Sequence, residues 1–503
     1  MRLFGSGRPD HPLADPKELK RVLEALPAND PFKALDELLH WLESVAATEG
    51  FRLEQRLQLL FGLDEAAQPR LRRLAKDYFA SARPSRFQEN RLWSAIHAYC
   101  KQAGLAYARA VDQFVQNAKG AEASRAQLPL LLVRTLRSLA QQIKWMHMRY
   151  GPVDLATWGV LNGVYAYAEA RQLAQARSPV YPGVAGESTP QLEYLKGALF
   201  SASSPDGLVP LEVEIAERLI AELAPGFALG SAPGPELPYW VDLAKAMAPA
   251  RAPRAPQASP GLRGVGAGSA LATVDALVER LQTGQPLPSD INLGGGYEPE
   301  AVLEVLRHLA LYWSPQAPER KAQRHAVKSR LAVTHGYDSV VGVLGGGDSL
   351  DFDNKDTESW IVENVSAGGF GAVVPQLKGD WLRVGALLAL QPEGGTNWVL
   401  GVVRRVSKTG AQQARVGIET LSRTPVLSRF AISGVQGASE QGVLMRQGGA
   451  AEARIALRPG VFAPAQNLEM AQGGRHHVYI PQGVAERGED YEIARFREMI
   501  RES

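Results

Sequence analysis

The 503-residue chain is 45% apolar and 21% charged, a globular balance with length for about two to four domains. Its 55 basic and 53 acidic residues leave a net charge of +2, which provides no general field for nucleic acid or an anionic membrane, so any anion site must be local. The single Cys100 excludes an intrachain disulfide framework and suits a reducing cytoplasm. The start, MRLFGSGRPDHP, lacks the apolar core of a signal peptide. The longest apolar runs, such as Leu128 to Val133, fall far short of the ~20 residues that a membrane helix needs. The expectation is a cytoplasmic protein with no membrane insertion and no nucleic-acid partner.

Residues 1–224 read as an all-helical domain. Asp30-Pro31 is a helix start, with Asp as cap and Pro in the first turn. Leu35, Leu38, Leu39, Leu42 and Val45 then repeat as one apolar face. Ser85 and Gln88 have capping-box spacing and open a long helix through Leu92, Ile96, Tyr99 and Ala103. Further helices are expected from about Pro129 to Tyr150 and over about 154–176. No phosphate loop, metal motif or nucleophile elbow occurs in this region. Cys100, beside Tyr99 in a helical pattern, reads as a buried structural thiol.

Residues 225–269 turn to Pro, Ala and Gly and read as a flexible linker, with APARAPRAPQASPG at 248–261. A short amphipathic helical island is expected at 238–247, docking either on a partner or on the chain's own helices. Connecting helices fill 270–318, at about 270–283 and 299–312.

The next region carries the chemistry. Glu319 to Arg324 contains an Arg-x-x-x-Arg, Arg320 and Arg324. Trp360 to Gly371, WIVENVSAGGFG, places Asn364-x-Ser366-x-x-Gly369 between two apolar runs, which reads as two strands joined through a polar, glycine-rich corner. Arginine forks match phosphate or the guanine O6/N7 edge. Asn and Ser offer short neutral donors and acceptors, and Gly368 and Gly369 let a flat ligand approach the main chain. Two arginines with this corner suit an anionic, planar, guanine-containing ligand. Short apolar runs separated by turns over 328–423 suit a small barrel, with Lys408-Thr409-Gly410 as a hairpin turn. Asp348, Asp351, Asp353, Asp356 and Glu358 form an acidic stretch that would weaken an anion site unless it pointed away. Residues 424–503 read as a β-rich tail, either a degenerate second barrel or an extension of the first, ending in a helix at about 487–501. No metal site is expected: His476 and His477 are adjacent on a strand and point to opposite faces.

On the Arg-x-x-x-Arg arm, the Asn-x-Ser-x-x-Gly corner and the strand pattern around them, residues 319–423 resemble a PilZ domain, the bacterial receptor module for cyclic di-GMP. The resemblance implies a six-stranded antiparallel β-barrel. It implies that Arg320 and Arg324 clamp guanine and phosphate from a mobile arm, and that Asn364, Ser366 and Gly369 hold the other side of the ligand. The whole is expected to be a multidomain α plus β protein: an all-α helical N-terminal domain, a Pro/Ala/Gly linker, a PilZ-like barrel and a further β-rich C-terminal segment. The expected function is that of a non-catalytic cyclic di-GMP receptor with no other cofactor, passing its signal to a protein partner through the helical domain. The alternative is a PilZ-like interaction scaffold that does not bind nucleotide.

Overall fold

The computed structural model describes residues 9–80, 85–251, 256–318, 323–346, 357–410, 412–446 and 452–501. It divides into two compact units. The first comprises Met1–Arg149, Val153–Pro205 and Pro210–Pro318; the second comprises Tyr150–Pro152, Asp206–Val209 and Glu319–Ser503.

The first unit is led by helices α1 (Pro16–Ala25), α2 (Pro31–Ala47), α3 (Leu53–Tyr78), α4 (Arg86–Val115), α5 (Leu128–His147) and α6 (Leu155–Ala170). A two-residue hairpin follows, β1 (Ser178–Pro179) with β2 (Glu187–Ser188), then α7 (Pro190–Ala202) and α8 (Pro210–Leu223). The helix starts form where the cap chemistry places them. Asp30 Oδ1 accepts from Lys33 N at 3.0 Å. Ser85 and Gln88 make the reciprocal capping box, at 3.3 and 3.1 Å. Leu35, Leu38, Leu42 and Val45 are all buried. Cys100 is also buried, and that burial pushes its thiol up to about 12, so it stays protonated near neutral pH. Asp64 on α3 is 1% exposed and accepts from the hydroxyls of Tyr99, Tyr107 and Tyr181 at 3.1, 2.8 and 3.0 Å.

Residues 225–269 do not form the linker that their composition suggests. β3 (Ala228–Gly230), β4 (Tyr239–Asp242), β5 (Ala250–Arg251) and β6 (Leu262–Gly266) make a four-stranded sheet in the order β3-β6-β4-β5. The expected helical island at 238–247 is therefore a strand followed by turns. Tyr239 and Val241 alternate inward, a period-2 pattern too short to stand out against Pro and Ala. The glycines of β6 serve close packing. A Cβ on Gly264 would come within 2.2 Å of Ala232 O, and one on Gly266 within 2.2 Å of Glu236 O. The stretch also packs on its own unit: Asn162 of α6 donates to Lys245 O and Met247 O at 2.9 and 3.0 Å. Helices α9 (Ala270–Gln282) and α10 (Pro299–Trp313) close the unit.

The second unit holds two closed six-stranded antiparallel barrels. The first comprises β7 (His325–His335), β8 (Glu358–Ser366), β9 (Gly369–Val374), β10 (Leu387–Pro392), β11 (Val399–Lys408) and β12 (Ala414–Ser422), with the short helix α11 (Tyr337–Leu344) after β7. The ring runs β10-β11-β12-β9-β8-β7. Its core packs Leu331, Val333, Trp360, Val362, Leu388, Val403 and Val416. The second comprises β13 (Val426–Ile432), β14 (Ser439–Arg446), β15 (Glu452–Leu457), β16 (Leu468–Gln472), β17 (Arg475–Arg487) and β18 (Glu492–Arg501), in the ring order β13-β14-β15-β18-β17-β16. The connectivity is the same in both: the first strand lies between the second and fourth, and the third pairs with the sixth. The tail is thus a second barrel. Its last segment is strand β18, not a helix, because Ala494 and Phe496 face the core while Arg495 and Arg497 face out, an alternation hidden among good helix formers.

The barrels share a core of their own. Outward residues Leu387, Leu400 and Val402 of the first meet Val443, Met445 and Ile493 of the second around Tyr337. Arg404 makes a bidentate pair with Glu486, both bonds 2.7 Å. Among the described residues, no helix is long and apolar enough to cross a membrane.

Candidate functional site

The Asn-x-Ser-x-x-Gly corner is a tight hairpin. Ser366 and Gly369 are the last paired residues of β8 and β9, joined through Ala367-Gly368. The end of β12 and the residue after it hold the turn from outside. Thr420 N donates to Gly368 O at 2.9 Å, and Arg423 Nη2 donates to Ala367 O at 3.1 Å. The two glycines differ. A Cβ on Gly368 would meet nothing within 4 Å, whereas one on Gly369 would lie 1.9 Å from Ile418 O of β12. Gly369 is what lets β9 pair with β12.

A β-bulge follows Val362, so Glu363 is the extra residue of β8. Asn364 then pairs with Gly371, and its carboxamide lies over that glycine: a Cβ on Gly371 would sit 2.6 Å from Nδ2 and 2.7 Å from Oδ1. Among the described residues the carboxamide has no hydrogen-bond partner, so its donors and acceptor are available to a ligand.

The register of β7 brings the start of that strand to this corner. Ala326 pairs with Asn364 and His325 with Val365. Arg324, exposed, comes one residue before His325, where the pairing ends. Arg320 lies outside the described residues, as do Asp348, Asp351, Asp353 and Asp356 of the acidic stretch. Glu358 is not a surface carboxylate. Alternation along β8 turns it inward with Trp360 and Val362. It is 6% exposed and accepts from the indole N–H groups of Trp360 and Trp381 at 2.9 and 3.0 Å.

Other charges on this face are already paired. Arg415 reaches Glu363 at 3.5 Å, Arg404 reaches Glu419 at 2.6 Å, and Arg405 is ion-paired with Asp206. Burial alone would lower the Arg404 pKa, but Glu486 and Glu419 together raise it. An anionic ligand here would have to exchange partners with these carboxylates as well as meet Arg324. The roles of Gly371, Gly417, Arg405 and Arg423 at this face depend on pairing between β8, β9, β12 and β11, which the sequence pattern does not disclose.

Two family models match the chain. Residues 351–425 match the model described as cyclic-di-GMP receptor FimW, middle PilZ domain. This part of the chain is a PilZ domain. Residues 17–234 match cyclic-di-GMP receptor FimW, N-terminal domain. The PilZ match takes in the Asn364–Gly369 hairpin and β9 to β12, and it begins after the arm that carries Arg320 and Arg324. No curated protein matches the chain.

Proposed function

We propose that the PilZ barrel binds cyclic di-GMP on the outer face of β8 and β9, and that the protein is a cytoplasmic receptor that acts by binding rather than catalysis. The observation that carries this reading is the pairing of β7 with β8, which sets Ala326 opposite Asn364 and His325 opposite Val365 and so leads the chain from the Asn-x-Ser-x-x-Gly corner to Arg324. The match to models of a cyclic di-GMP receptor supports the choice of ligand. Arg320 and Arg324 would clamp guanine and phosphate from one side, while Asn364, Ser366 and the hairpin set by Gly369 would meet the other. Binding that orders the arm shifts the population of arm conformations by the ligand's differential affinity for them. The helical unit would pass that change to a protein partner.

One observation favours the alternative, a scaffold that does not bind nucleotide: Glu363, Glu419 and Asp206 already neutralise the neighbouring arginines. Ligand-dependent stability separates the two readings. At a hundredfold excess over Kd, cyclic di-GMP should stabilise the native protein by about 2.7 kcal/mol, seen as a raised unfolding midpoint that GTP does not reproduce. Asn364→Ala should lose most of that gain. An unmoved midpoint at millimolar cyclic di-GMP would favour the scaffold.

A further inference from the structure

Four outward positions line up across four neighbouring strands of the first barrel. Asn364 of β8 pairs with Gly371 of β9, Gly371 pairs with Gly417 of β12, and Gly417 pairs with Arg405 of β11. All four face the same way. A Cβ on Gly371 would run into the Asn364 carboxamide, and one on Gly417 would lie 3.3 Å from Arg405 Cβ. Residues directly opposite on paired strands share a face, and the flanking Ala372, Val416 and Ile418 point into the core. The row therefore has a floor of bare backbone at Gly417, with the Asn364 amide lying over Gly371 on one side and the Arg405 guanidinium on the other. At ordinary strand spacing it runs roughly 14 Å from end to end.

This shape and chemistry suit one kind of guest. A planar group can lie flat against backbone where no side chain stands up. The Asn364 amide can then pair with a base edge while the Arg405 fork meets a phosphate. Arg405 is more than half exposed, and among the described residues its ion pair is with Asp206. Arg415 of β12 reaches Glu363 of β8 across β9, and Arg404 of β11 reaches Glu419 of β12. Taking as given that the PilZ barrel binds cyclic di-GMP, we infer that the nucleotide extends from the hairpin onto this floor, with one guanine lying over Gly417 against the edge of the Asn364 amide and a phosphate held by Arg405. The binding face then spans β8 to β11 and is not confined to the hairpin and arm.

The experiment is equilibrium titration of cyclic di-GMP into the full chain and three variants, with unfolding midpoints taken alongside. Gly417→Ala raises one methyl from the floor, 3.3 Å from Arg405 Cβ, a contact relieved by a few tenths of an ångström of give between β12 and β11. Arg405→Ala removes a largely exposed group, so neither should unfold the barrel. Both should weaken binding by about tenfold or more at an unchanged midpoint, the scale of a lost bidentate contact. Asn364→Ala serves as the positive control on the hairpin. If wild type binds and Asn364→Ala does not, while Gly417→Ala and Arg405→Ala bind as wild type, the floor is not part of the site and this inference falls with the receptor reading intact. If wild type itself does not bind, the receptor reading falls first.

Discussion

Gly369→Ala should abolish nucleotide binding and cost the first barrel several kcal/mol, while Gly368→Ala, one residue earlier, should be close to silent in stability. The reason is local and geometric. The methyl of an alanine at 369 would be placed 1.9 Å from the main-chain oxygen of Ile418, and 3.2 Å from the Cα of Glu419. Those atoms belong to a backbone paired with β9 from Gly369 to Val374, so no side chain can swing aside to make room. Overpacking at a rigid site costs about 1–3 kcal/mol and occasionally more, and here the relief requires β9 to part from β12. That would also move Ser366 and the turn clamped by Thr420 and Arg423. Gly368 faces open space. Chemical denaturation of the two variants, followed at the tryptophans of the first barrel, checks the contrast. Equal stability would mean that Gly369 is there for the ligand alone.

Asp64→Ala should damage the helical unit severely, at roughly 3–5 kcal/mol, because it removes the shared acceptor of three buried hydroxyls. The carboxylate joins α3 to Tyr99 and Tyr107 on α4 and to Tyr181 in the α6–α7 connection, and Gln68 adds a bond at 2.9 Å. Burial, and then Asp64 itself, raise the pKa of all three phenols well above the usual range, so each remains a donor. Alanine leaves those hydroxyls facing a cavity, and each buried donor without a partner costs about 1–3 kcal/mol, less where neighbours adjust. Far-UV circular dichroism during denaturation reads the loss. A change under about 1 kcal/mol would show that the tyrosines find other acceptors, and that the cluster is not what ties the helices together.

How far the fold could be read in advance follows from which interactions are local. The starts of α2 and α4 were legible because Asp30 and the Ser85–Gln88 pair act on backbone within one turn. The β8–β9 corner was legible because a polar, glycine-rich pair between apolar runs is a hairpin signal. Features set by distant segments were not. The sheet of residues 228–266 was concealed because Gly264 and Gly266 look like flexible residues, whereas they are required by the close passage of Ala232 and Glu236. Strand β18 reads as a helix because Glu492, Arg495, Arg497, Glu498 and Met499 all favour helix in isolation, and only pairing with β15 and β17 overrides them. The candidate site shows the same division. Asn364, Ser366 and Arg324 announce themselves in short motifs. Gly371, Gly417 and Arg405 become neighbours only when four strands close into a ring. Glu358 illustrates the reverse: in sequence it belongs to the acidic stretch, and strand alternation turns it into the core against two indoles.

The most direct measurement is calorimetric titration of cyclic di-GMP into the full chain and into Arg320→Ala/Arg324→Ala, with GTP as a specificity control. Each bidentate arginine contact to guanine is worth about 1–3 kcal/mol, so the double variant should bind at least tenfold more weakly, and GTP should give no saturable heat with wild type. Saturable binding of cyclic di-GMP that collapses in the double variant is the predicted result. Absence of heat from wild type at high ligand concentration, or equal affinity in the variant, would contradict a receptor in which the arginine arm closes over the hairpin.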